Sequence, residues 1–473
     1  MTWLGLEEIA KMSEGVLHGE NRSINSVSTD SRTVQKDQLF IALVGENFDA
    51  HDFIASITNK AAAVFVHKKM DCDIPQIIVE DTLKGLGLFA AAWRKQFKKP
   101  LIGLTGSNGK TTVKEMLAAI FSTKGNVMAT FGNLNNDIGM PLTLLRLRDN
   151  MDYAVIEMGA NHFNEIDYLT HIAKPDVALL NNAGTAHLEG FGDVKGVSRA
   201  KAEIFKGLSK KGIAIINRDD QYADYWLSCN KDRKSITFGF SDQANLKGEL
   251  NCDGLLVQVG DQQKLIKLAL LGHHNAMNAL AASAAAIAVG LDLSAIKQGL
   301  ESLQAVRGRL APVKGIDGVR IIDDTYNANP SSTRAAIDVL ADQKKSKRIL
   351  VLGDMGELGD NTAQLHADIG LYAKAKGIEA LYCLGKNSKQ ACEKFAENGF
   401  AFDAIEPLLV ALQQRIKQIQ KQQQQTKDKQ SVTVLVKGSR SMKMERVVEA
   451  LSQPQEGVDY THNGENVVET GLC

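Results

Sequence analysis

The chain has 473 residues, of which 44% are hydrophobic, and this length suggests about three domains with cores of their own. Lysine plus arginine equal aspartate plus glutamate at 55 each, so the formal net charge is zero. This balance argues against a nucleic-acid-binding stripe and against a charged membrane-binding patch. The six cysteines form no CxxC pair, which is typical of reduced thiols in a cytoplasmic protein.

Membrane insertion is not expected from any segment. Acidic residues interrupt the apolar N-terminus, unlike in a signal peptide. The longest run of small apolar residues, 276–289, is too short and too rich in alanine to span a bilayer. That run predicts a tightly packed internal helix instead.

The order of apolar segments predicts an α/β protein with three domains and a tail. Residues 1–98 predict a small α/β domain with the apolar runs QLFIALVG, AAAVFV and IPQIIVED. Residues 99–312 alternate helical patterns with strand candidates, which predicts a central P-loop-type domain with a mostly parallel sheet; the candidates are PLIGLTG, DYAVIEMG, DVALLNN, GIAIIN and SITFGF. Residues 313–452 predict a C-terminal Rossmann-like α/β domain with the strands GVRIIDD, KRILVLGD, EALYCLG and SVTVLVKG. The missing GxGxxG after its first strand argues against an NAD enzyme, and residues 453–473 are expected to be disordered.

A glutamine- and lysine-rich segment, residues 412–430, precedes the last strand candidate. Its first half has helical spacing, and its second half predicts a solvated loop. A surface insertion is favoured over an interaction segment.

The segment PLIGLTGSNGKTT is typical of a strand, a phosphate-binding loop and the start of a helix. Gly106 and Gly109 allow backbone N–H groups to turn toward phosphate oxygens. Lys110 can reach the β- and γ-phosphates of ATP or GTP, and the Thr111 hydroxyl can bind Mg²⁺. The strict loop pattern would place glycine where Leu104 stands, so this loop is a variant. A glycine-rich turn without a ligand is disfavoured, because Gly-Lys-Thr-Thr at such a junction has few structural uses.

Two more groups follow strands of the central domain. Glu157 ends the strand DYAVIEMG, and His187 follows DVALLNN. Beside a phosphate loop, a carboxylate and an imidazole can hold a divalent ion, although each alone is more often a solvated strand end or a loop histidine. Lys201 lies in a predicted helix, and its pattern alone indicates a surface lysine.

Clustered asparagines form two further candidates. Asn133, Asn135 and Asn136 crowd into a turn that can be structural or can bind a polar substrate. Asn275 and Asn278 share one side of a helix start, where N-capping and contact with a base or ribose are equally consistent with the pattern.

The last third of the chain adds charged candidates. Arg309 stands near the predicted domain boundary, where an arginine can swing onto a γ-phosphate. Asp324 ends a strand and can hold a ribose hydroxyl. Lys437, Ser439 and Arg440 follow the last strand and suit a substrate carboxylate.

These motifs, in this order, resemble the Mur ligases of peptidoglycan synthesis. The resemblance covers residues from about 23 to 445 and rests on TGSNGKTT, IEMG, NNAGTAHLE, AKAEIF, HHNAMNALAA, GRL and DDTYNANP. The phrases GNLNNDIGMPLTLL, DDTYNANPSS, GDMGELG and VKGSRSMKME point within the family to addition of D-alanyl-D-alanine. The resemblance therefore implies a ligase that uses ATP and Mg²⁺ to join D-alanyl-D-alanine to UDP-MurNAc-tripeptide, with the last domain closing over the nucleotide.

The resemblance also implies site residues. Catalytic roles fall on Lys110, His187, Lys201 and Arg309. Metal-binding roles fall on Thr111, Glu157, His187 and Lys201, the last of them carbamylated. Contacts with ATP fall on Thr105, Gly106, Ser107, Asn108, Gly109, Lys110, Thr111, Thr112, Asn275, Asn278, Arg309 and Asp324. Contacts with the other substrates fall on Ser31, Arg32, Asn47, Asp49, His51, Asn133, Asn135, Asn136, Asn327, Lys437, Ser439 and Arg440.

Several alternatives remain open at this point. A ligase of the same build can add the third peptide residue, or glutamate to folate. A protein of another class, a nucleotide-dependent switch or transport ATPase, would hydrolyse ATP without an acceptor. The sequence leaves the third residue of the tripeptide open between diaminopimelate and lysine, and a monomer is expected.

Overall fold

The structure, a computed structural model, describes residues 4–45, 47–304, 306–426 and 430–453. Apart from Gln453, the tail that was expected to be disordered lies outside these residues. The described chain divides into two compact units, and we describe each by itself. The first unit extends to Val306 and also includes Asn329–Ala335 and Gly356–Thr362, and the remainder forms the second unit.

The first unit begins with a five-stranded sheet in the order β1-β5-β4-β3-β2, counted over the described residues. Its neighbours are parallel except β1 and β5. The strands are β1 (Val16–His18), β2 (Ser26–Ser28), β3 (Gln38–Ile41), β4 (Ala63–Val66) and β5 (Gln76–Ile78), and the helices are α1 (Leu6–Met12), a 3-10 helix (Ala50–Ser56) and α2 (Thr82–Arg94). Asp81 caps α2 by accepting from the backbone of Leu83 and Lys84 at 2.8 and 2.9 Å.

A nine-stranded sheet follows in the described chain, in the order β14-β13-β12-β11-β10-β9-β6-β8-β7. The strands are β6 (Leu101–Thr105), β7 (Val127–Ala129), β8 (Tyr153–Glu157), β9 (Val177–Leu180), β10 (Ile213–Asn217), β11 (Lys234–Gly239), β12 (Leu246–Asn251), β13 (Gly254–Val259) and β14 (Gln262–Ile266). From β7 to β12 all pairs are parallel, which confirms the predicted sheet type. β12, β13 and β14 are an antiparallel extension that was not predicted.

Helices cover both faces of this sheet. They are α3 (Lys110–Ser122), α4 (Gly139–Leu144), α5 (Glu165–Ala173), α6 (Leu188–Phe191), α7 (Val194–Ala202), a 3-10 helix (Glu203–Gly207), α8 (Ala223–Ser228), α9 (His273–Ala288) and α10 (Leu293–Ser302). Alternate residues of β6 serve two cores: Leu101 packs with α2, α4 and α5, while Ile102 and Leu104 pack with α3, α9 and α10. Because both faces are covered, β6 is apolar and buried throughout.

The second unit is built on a sheet with six strands in the described chain, in the order β15-β16-β20-β17-β18-β19. The strands are β15 (Ala311–Lys314), β16 (Arg320–Asp324), β17 (Ser346–Gly353), β18 (Ala380–Leu384), β19 (Gly399–Phe402) and β20 (Ser431–Lys437). All pairs but β15–β16 are parallel. The remaining helices among the described residues are α11 (Pro330–Ala341), α12 (Thr362–Ala375), α13 (Lys389–Phe395), α14 (Ile405–Thr426) and α15 (Glu445–Leu451), with 3-10 turns at Ile316–Gly318, Gly359–Asn361 and Arg440–Met442.

The glutamine-rich segment differs from its prediction. α14 continues to Thr426, so the expected loop is wrong up to that residue. Leu412, Ile416 and Ile419 are buried in the core of the second unit. Glutamine and lysine are good helix formers, and no glycine or proline interrupts the segment, so the helix continues past its last buried position. Residues 427–429 lie outside the described chain.

Candidate active site

The phosphate loop is held in shape by the end of the neighbouring strand β9. Asn182 accepts from the backbone N–H of Ser107 through its carbonyl at 3.1 Å, and from that of Asn108 through its side chain at 2.9 Å. The Asn182 amide donates back to the Asn108 carbonyl at 3.0 Å. Asn181 donates to the same carbonyl at 3.0 Å. The loop therefore has a fixed backbone before any ligand binds.

Gly109 and Lys110 begin α3 in the way the sequence predicted. Gly109 adopts a left-handed conformation with φ of 79°, and a Cβ atom there would collide with the Asn278 side chain. Lys110 Nζ donates to the Gly106 carbonyl at 2.8 Å, so its ammonium folds back over the loop. The first turn of α3 thus offers backbone N–H groups and one cation to an anionic ligand.

Glu157 lies beside the loop because β6 and β8 pair with Leu104 opposite Glu157. Its side chain is buried, and Oε1 accepts from the Asn135 amide at 2.7 Å. Its other oxygen, Oε2, has no hydrogen-bond partner among the described residues. The structure therefore joins a predicted metal ligand and a predicted substrate-binding amide, which the sequence had treated as separate candidates.

His187 caps the short helix α6 in a left-handed conformation, with φ of 55°. Few non-glycine residues adopt this conformation. Its Nδ1 lies 2.6 Å from Glu357 Oε2. That contact lowers the pKa of the Glu357 carboxyl. Glu357, in the phrase GDMGELG, was not singled out by the sequence, because nothing local indicates its partner.

Lys201 contradicts the expectation of a surface lysine. It is on α7 and fully buried, with Nζ 3.4 Å from the Ala160 carbonyl and 5.4 Å from the centre of the Phe191 ring. Burial, assisted by the nearby charge of Lys110, lowers the pKa of Lys201 from 10.5 to about 7. The helical pattern indicated a polar position, but Ala160, in the segment after β8, and Phe191 on α6 lie against the side chain.

The other amide candidates have structural partners. Asn275 and Asn278 are buried on α9, whose N-cap is Gly272, so N-capping does not explain them. Asn278 donates to the Asn275 side chain at 3.2 Å and accepts from Asn181 at 2.9 Å. Asn136 accepts from the Gly139 backbone at 2.9 Å, at the start of α4, while Asn133 is exposed. Contact of these amides with a nucleotide or substrate stays a prediction.

The candidate substrate-binding residues before residue 98 belong to the part of the first unit that contains the five-stranded sheet. His51 is buried; Asp49 lies 2.5 Å from its Nδ1, and its Nε2 accepts from the His67 backbone at 3.2 Å. Both ring nitrogens therefore serve the fold. Arg32 is exposed and donates to Asp30 at 2.8 and 2.9 Å. Ser31 and Asn47 lie on nearby loops, half-buried and exposed respectively.

The candidates of the second unit group around the carboxyl end of β16. Lys437 Nζ donates to Asp324 Oδ2 at 2.5 Å and to the Asn327 carbonyl at 2.9 Å. The Arg309 guanidinium stacks 3.9 Å from the centre of the Tyr326 ring. Ser439 and Arg440 follow β20, and Arg440 donates to Glu445 at 3.1 Å. Asp324 and Lys437, assigned to different ligands by the sequence, thus form one ion pair.

No described group of three or more His, Cys, Asp or Glu side chains has the geometry of a metal site. No helix in the described ranges is long and apolar enough to cross a membrane.

Three family models match the chain in consecutive order. They are "Mur ligase family, catalytic domain" over residues 23–94, "Mur ligase middle domain" over 104–286 and "Mur ligase, glutamate ligase domain" over 308–440. The middle match includes the phosphate loop, Glu157, His187 and Lys201.

Individual proteins match nearly end to end. The chain is 42% identical to the UDP-N-acetylmuramoyl-tripeptide--D-alanyl-D-alanine ligase of Escherichia coli (strain K12), over 95% of this chain and 98% of that protein. A crystal structure of MurF from Acinetobacter baumannii is similar with a TM-score of 0.88 at 35% identity, covering 95% of this chain and 99% of that one. The MurF ligase of Thermotoga maritima in complex with ADP is similar with a TM-score of 0.79 at 28% identity, covering 90% and 96%.

Proposed function

The chain belongs to the Mur ligase family, and we infer that it joins D-alanyl-D-alanine to the terminal carboxylate of UDP-MurNAc-tripeptide at the expense of ATP. The observation that carries this inference is the 42% identity to the Escherichia coli ligase of that name over 98% of its length. The products are UDP-MurNAc-pentapeptide, ADP and phosphate. The reaction supplies a precursor for peptidoglycan synthesis.

The chemistry follows from the poor electrophilicity of a carboxylate. A carboxylate oxygen of the tripeptide attacks the γ-phosphorus of ATP, and ADP leaves. The resulting acyl phosphate has a carbonyl carbon that the free amine of D-alanyl-D-alanine attacks. The C–O bond to phosphate then breaks, the amine loses a proton, and a peptide bond remains. Exclusion of water protects the acyl phosphate from hydrolysis.

The phosphate loop binds the nucleotide in this scheme. Its backbone is already fixed by Asn182, so little conformational entropy is lost when phosphates bind. Lys110 lies over the loop with its ammonium 2.8 Å from the Gly106 carbonyl. On ATP binding, this ammonium exchanges a carbonyl for phosphate oxygens and neutralises charge on the transferring group.

Lys201 is proposed to carry a carbamate. A pKa of about 7 leaves much of the amine neutral near neutral pH, and a neutral amine can attack CO₂. The product is a carbamate anion and a released proton. The charge of Lys110 disfavours protonation of Lys201. A carbamate would place an anion at this position, instead of a second cation near Lys110.

The residues near the loop fit a magnesium ion. Glu157 Oε2 is a buried oxygen without a hydrogen-bond partner among the described residues, and hard cations prefer oxygen ligands. Thr111, Glu157, His187 and carbamylated Lys201 would hold the ion. When bound, Mg²⁺ supplies positive charge to the phosphate oxygens.

Other roles are proposed from the family alone. Arg309 contacts the γ-phosphoryl group, Asp324 the ribose, and Asn327, Lys437, Ser439 and Arg440 the D-alanyl-D-alanine side. The residues of the first domain, among them Ser31, Arg32, Asn47, Asp49 and His51, bind the UDP-sugar. We also propose that the protein acts as a monomer in the cytoplasm, where its nucleotide substrates are made.

The test is phosphate release from ATP and Mg²⁺, with UDP-MurNAc-tripeptide and D-alanyl-D-alanine added separately and together. We expect release only when both are present, and loss of release in Lys110→Ala. Lys124→Ala, an exposed lysine beyond α3, is the matched control and should retain activity. Release without an acceptor would instead indicate a switch or transport ATPase.

A competition experiment separates related ligases. With labelled D-alanyl-D-alanine, diaminopimelate, lysine and glutamate offered together, only D-alanyl-D-alanine should enter the product. Incorporation of a single amino acid into UDP-MurNAc-dipeptide, or of glutamate into folate, would contradict the proposed substrate.

A further inference from the structure

A cavity of about 280 Å³ opens in the first unit, between α7, the 3-10 helix after it, and α8. No role assigned above uses it. Its polar lining consists of Arg199, Glu203, Lys206, Tyr225, Cys229 and Arg233. Cations thus outnumber anions around a small cavity, which suits a small anion better than a large apolar ligand.

Two of the charged groups are already satisfied within the fold. Both carboxylate oxygens of Glu203 accept backbone N–H groups at the start of α5, from Asn164 at 2.9 Å and from Asp167 at 3.1 Å. Lys206 pairs with the Asp167 side chain at 2.5 Å. Glu203 therefore turns its oxygens toward α5, where two backbone N–H groups stabilise the carboxylate.

The two arginines have no such compensation. Arg233 donates to the Phe205 carbonyl at 2.8 Å and to the Asn230 amide oxygen at 3.0 Å, which fixes its guanidinium without neutralising it. Arg199 is exposed, and neither arginine forms an ion pair with a carboxylate of the described chain. Two guanidinium groups without a carboxylate partner among the described residues therefore line one small cavity, and both would attract an anion bound there.

The cavity is distinct from the phosphate loop. Successive helical residues turn by about 100°, so residues two apart on α7 point in nearly opposite directions. Lys201 points inward to the Ala160 carbonyl, and Arg199 points outward to the cavity. The same helix therefore serves the candidate active site with one face and the cavity with the other.

We propose that this cavity binds a phosphoryl oxyanion between Arg199 and Arg233, with the Tyr225 hydroxyl as a further donor. Guanidinium groups bind phosphate oxygens through paired, charge-assisted hydrogen bonds, and a single phosphoryl group fits the volume. The phosphoryl group comes either from inorganic phosphate or from a nucleotide.

Cys229 reports on this site, because it is exposed and lines the cavity. The full-length Lys110→Ala variant removes the phosphate-loop cation as a confounding site. We would measure the alkylation rate of Cys229 by a neutral reagent, with inorganic phosphate or with ADP, using peptide mass spectrometry. Exposed Cys252, which does not line the cavity, is the internal control.

We expect saturable protection of Cys229 and none of Cys252. Protection by phosphate alone would identify inorganic phosphate as sufficient, and protection by ADP alone would identify a nucleotide. Adding Arg199→Ala should raise the half-protecting concentration about tenfold, as expected for one lost charge-assisted contact. Lys195→Ala, an exposed residue of α7 outside the cavity, should leave it unchanged.

Three results would overturn the proposal. They are unprotected Cys229 with both anions, equal protection of Cys252, and protection that Arg199→Ala does not weaken. Each rate is compared with that of the same variant without anion, so a change in thiol reactivity is not mistaken for binding. Arg199→Gln serves as a second variant, and circular dichroism confirms that both are folded.

Discussion

Asp324 and Lys437 are direct neighbours on parallel strands: the register of β16 and β20 places them opposite each other, and Nζ lies 2.5 Å from Oδ2. Their side chains are only 11% and 2% exposed. Two residues that the sequence assigned to different ligands thus depend on one another. A ligand that binds either side chain would break this ion pair, and the other side chain would then need a new partner.

Replacing Lys437 by methionine should destabilise the second unit. The Asp324 carboxylate would remain buried and unpaired, which costs about 3–5 kcal/mol. Hydrogen exchange of the β16 and β20 amides measures this loss directly. Lys314→Met, at an exposed position on β15 of the same sheet, should have little effect. The double variant Asp324→Asn with Lys437→Met should be less destabilised than Lys437→Met alone, and equal loss in both would show that the pair is not the cause.

Replacing Asn182 by alanine should weaken nucleotide binding. The side chain makes two hydrogen bonds with the Asn108 backbone, at 2.9 and 3.0 Å. Their loss costs about 1–3 kcal/mol, which corresponds to about 5–150-fold in the dissociation constant for ADP. Calorimetric titration with ADP measures it. Asn126→Ala removes a comparable loop contact with the Asn150 carbonyl and should bind ADP normally. Unchanged affinity in Asn182→Ala would mean that the loop is held without this side chain.

Replacing Lys201 by alanine should lower the ligase rate by about 10²-fold or more, since it removes the buried side chain that is proposed to carry an anionic metal ligand. If the active form is a carbamate, acetate or formate should restore part of the rate by placing a carboxylate in the space that the Lys201 side chain leaves. Lys201→Arg cannot form a carbamate and should not be rescued. Initial rates with and without acetate, and in CO₂-depleted buffer for the unmodified chain, make the measurement. Full activity of Lys201→Arg would exclude the carbamate.

Protonation of His51 should lower the stability of the folded protein as the pH falls below about 6.5. Burial lowers the pKa of His51 beneath its ordinary value of 6.5, although Asp49 opposes the shift. Between the two values the unfolded chain binds more protons than the folded chain, so stability rises with pH. The contribution is complete above pH 6.5 and is lost as the pH falls through the folded pKa. Melting temperatures of the unmodified protein and of His51→Gln, compared between pH 5 and 8, should differ less at acidic pH. A constant difference would contradict the assignment.

Local sequence patterns were sufficient to predict much of the fold. The phosphate loop, α3 and the central parallel strands were predictable because each is encoded by contiguous apolar runs and by glycines at fixed positions. The β12–β14 extension was missed because β12 and β14 are largely exposed and polar, as in QQKLI, so that the apolar strand β13, GLLVQV, stands alone in the sequence. The end of α14 was predicted wrongly because the apolar periodicity ends at Ile419, whereas residues that favour a helix continue to Thr426.

Pairings between distant residues were not predictable. The bond from Asn135 to Glu157 and the contact of His187 with Glu357 depend on strand order and on loops far apart in the chain. Asn181 and Asn182 carry one signal in the sequence, a doubled asparagine at the end of a buried strand, and the loop contacts they make are not visible in it. The burial of Lys201 had none, because the residues that cover it come from other elements.

The core of the first unit also constrains how such chains can be recombined. Phe89 and Trp93 on α2 pack in the same cluster as residues of α4 and α5. Arg94 donates across the same boundary to the Ala173 carbonyl at 2.9 Å and to Asp176 at 3.2 Å. A chimaera that exchanges the first 98 residues with those of a distant relative would therefore have to exchange the facing surface of α4 and α5 as well. The first 98 residues are therefore transferable only together with that shared interior.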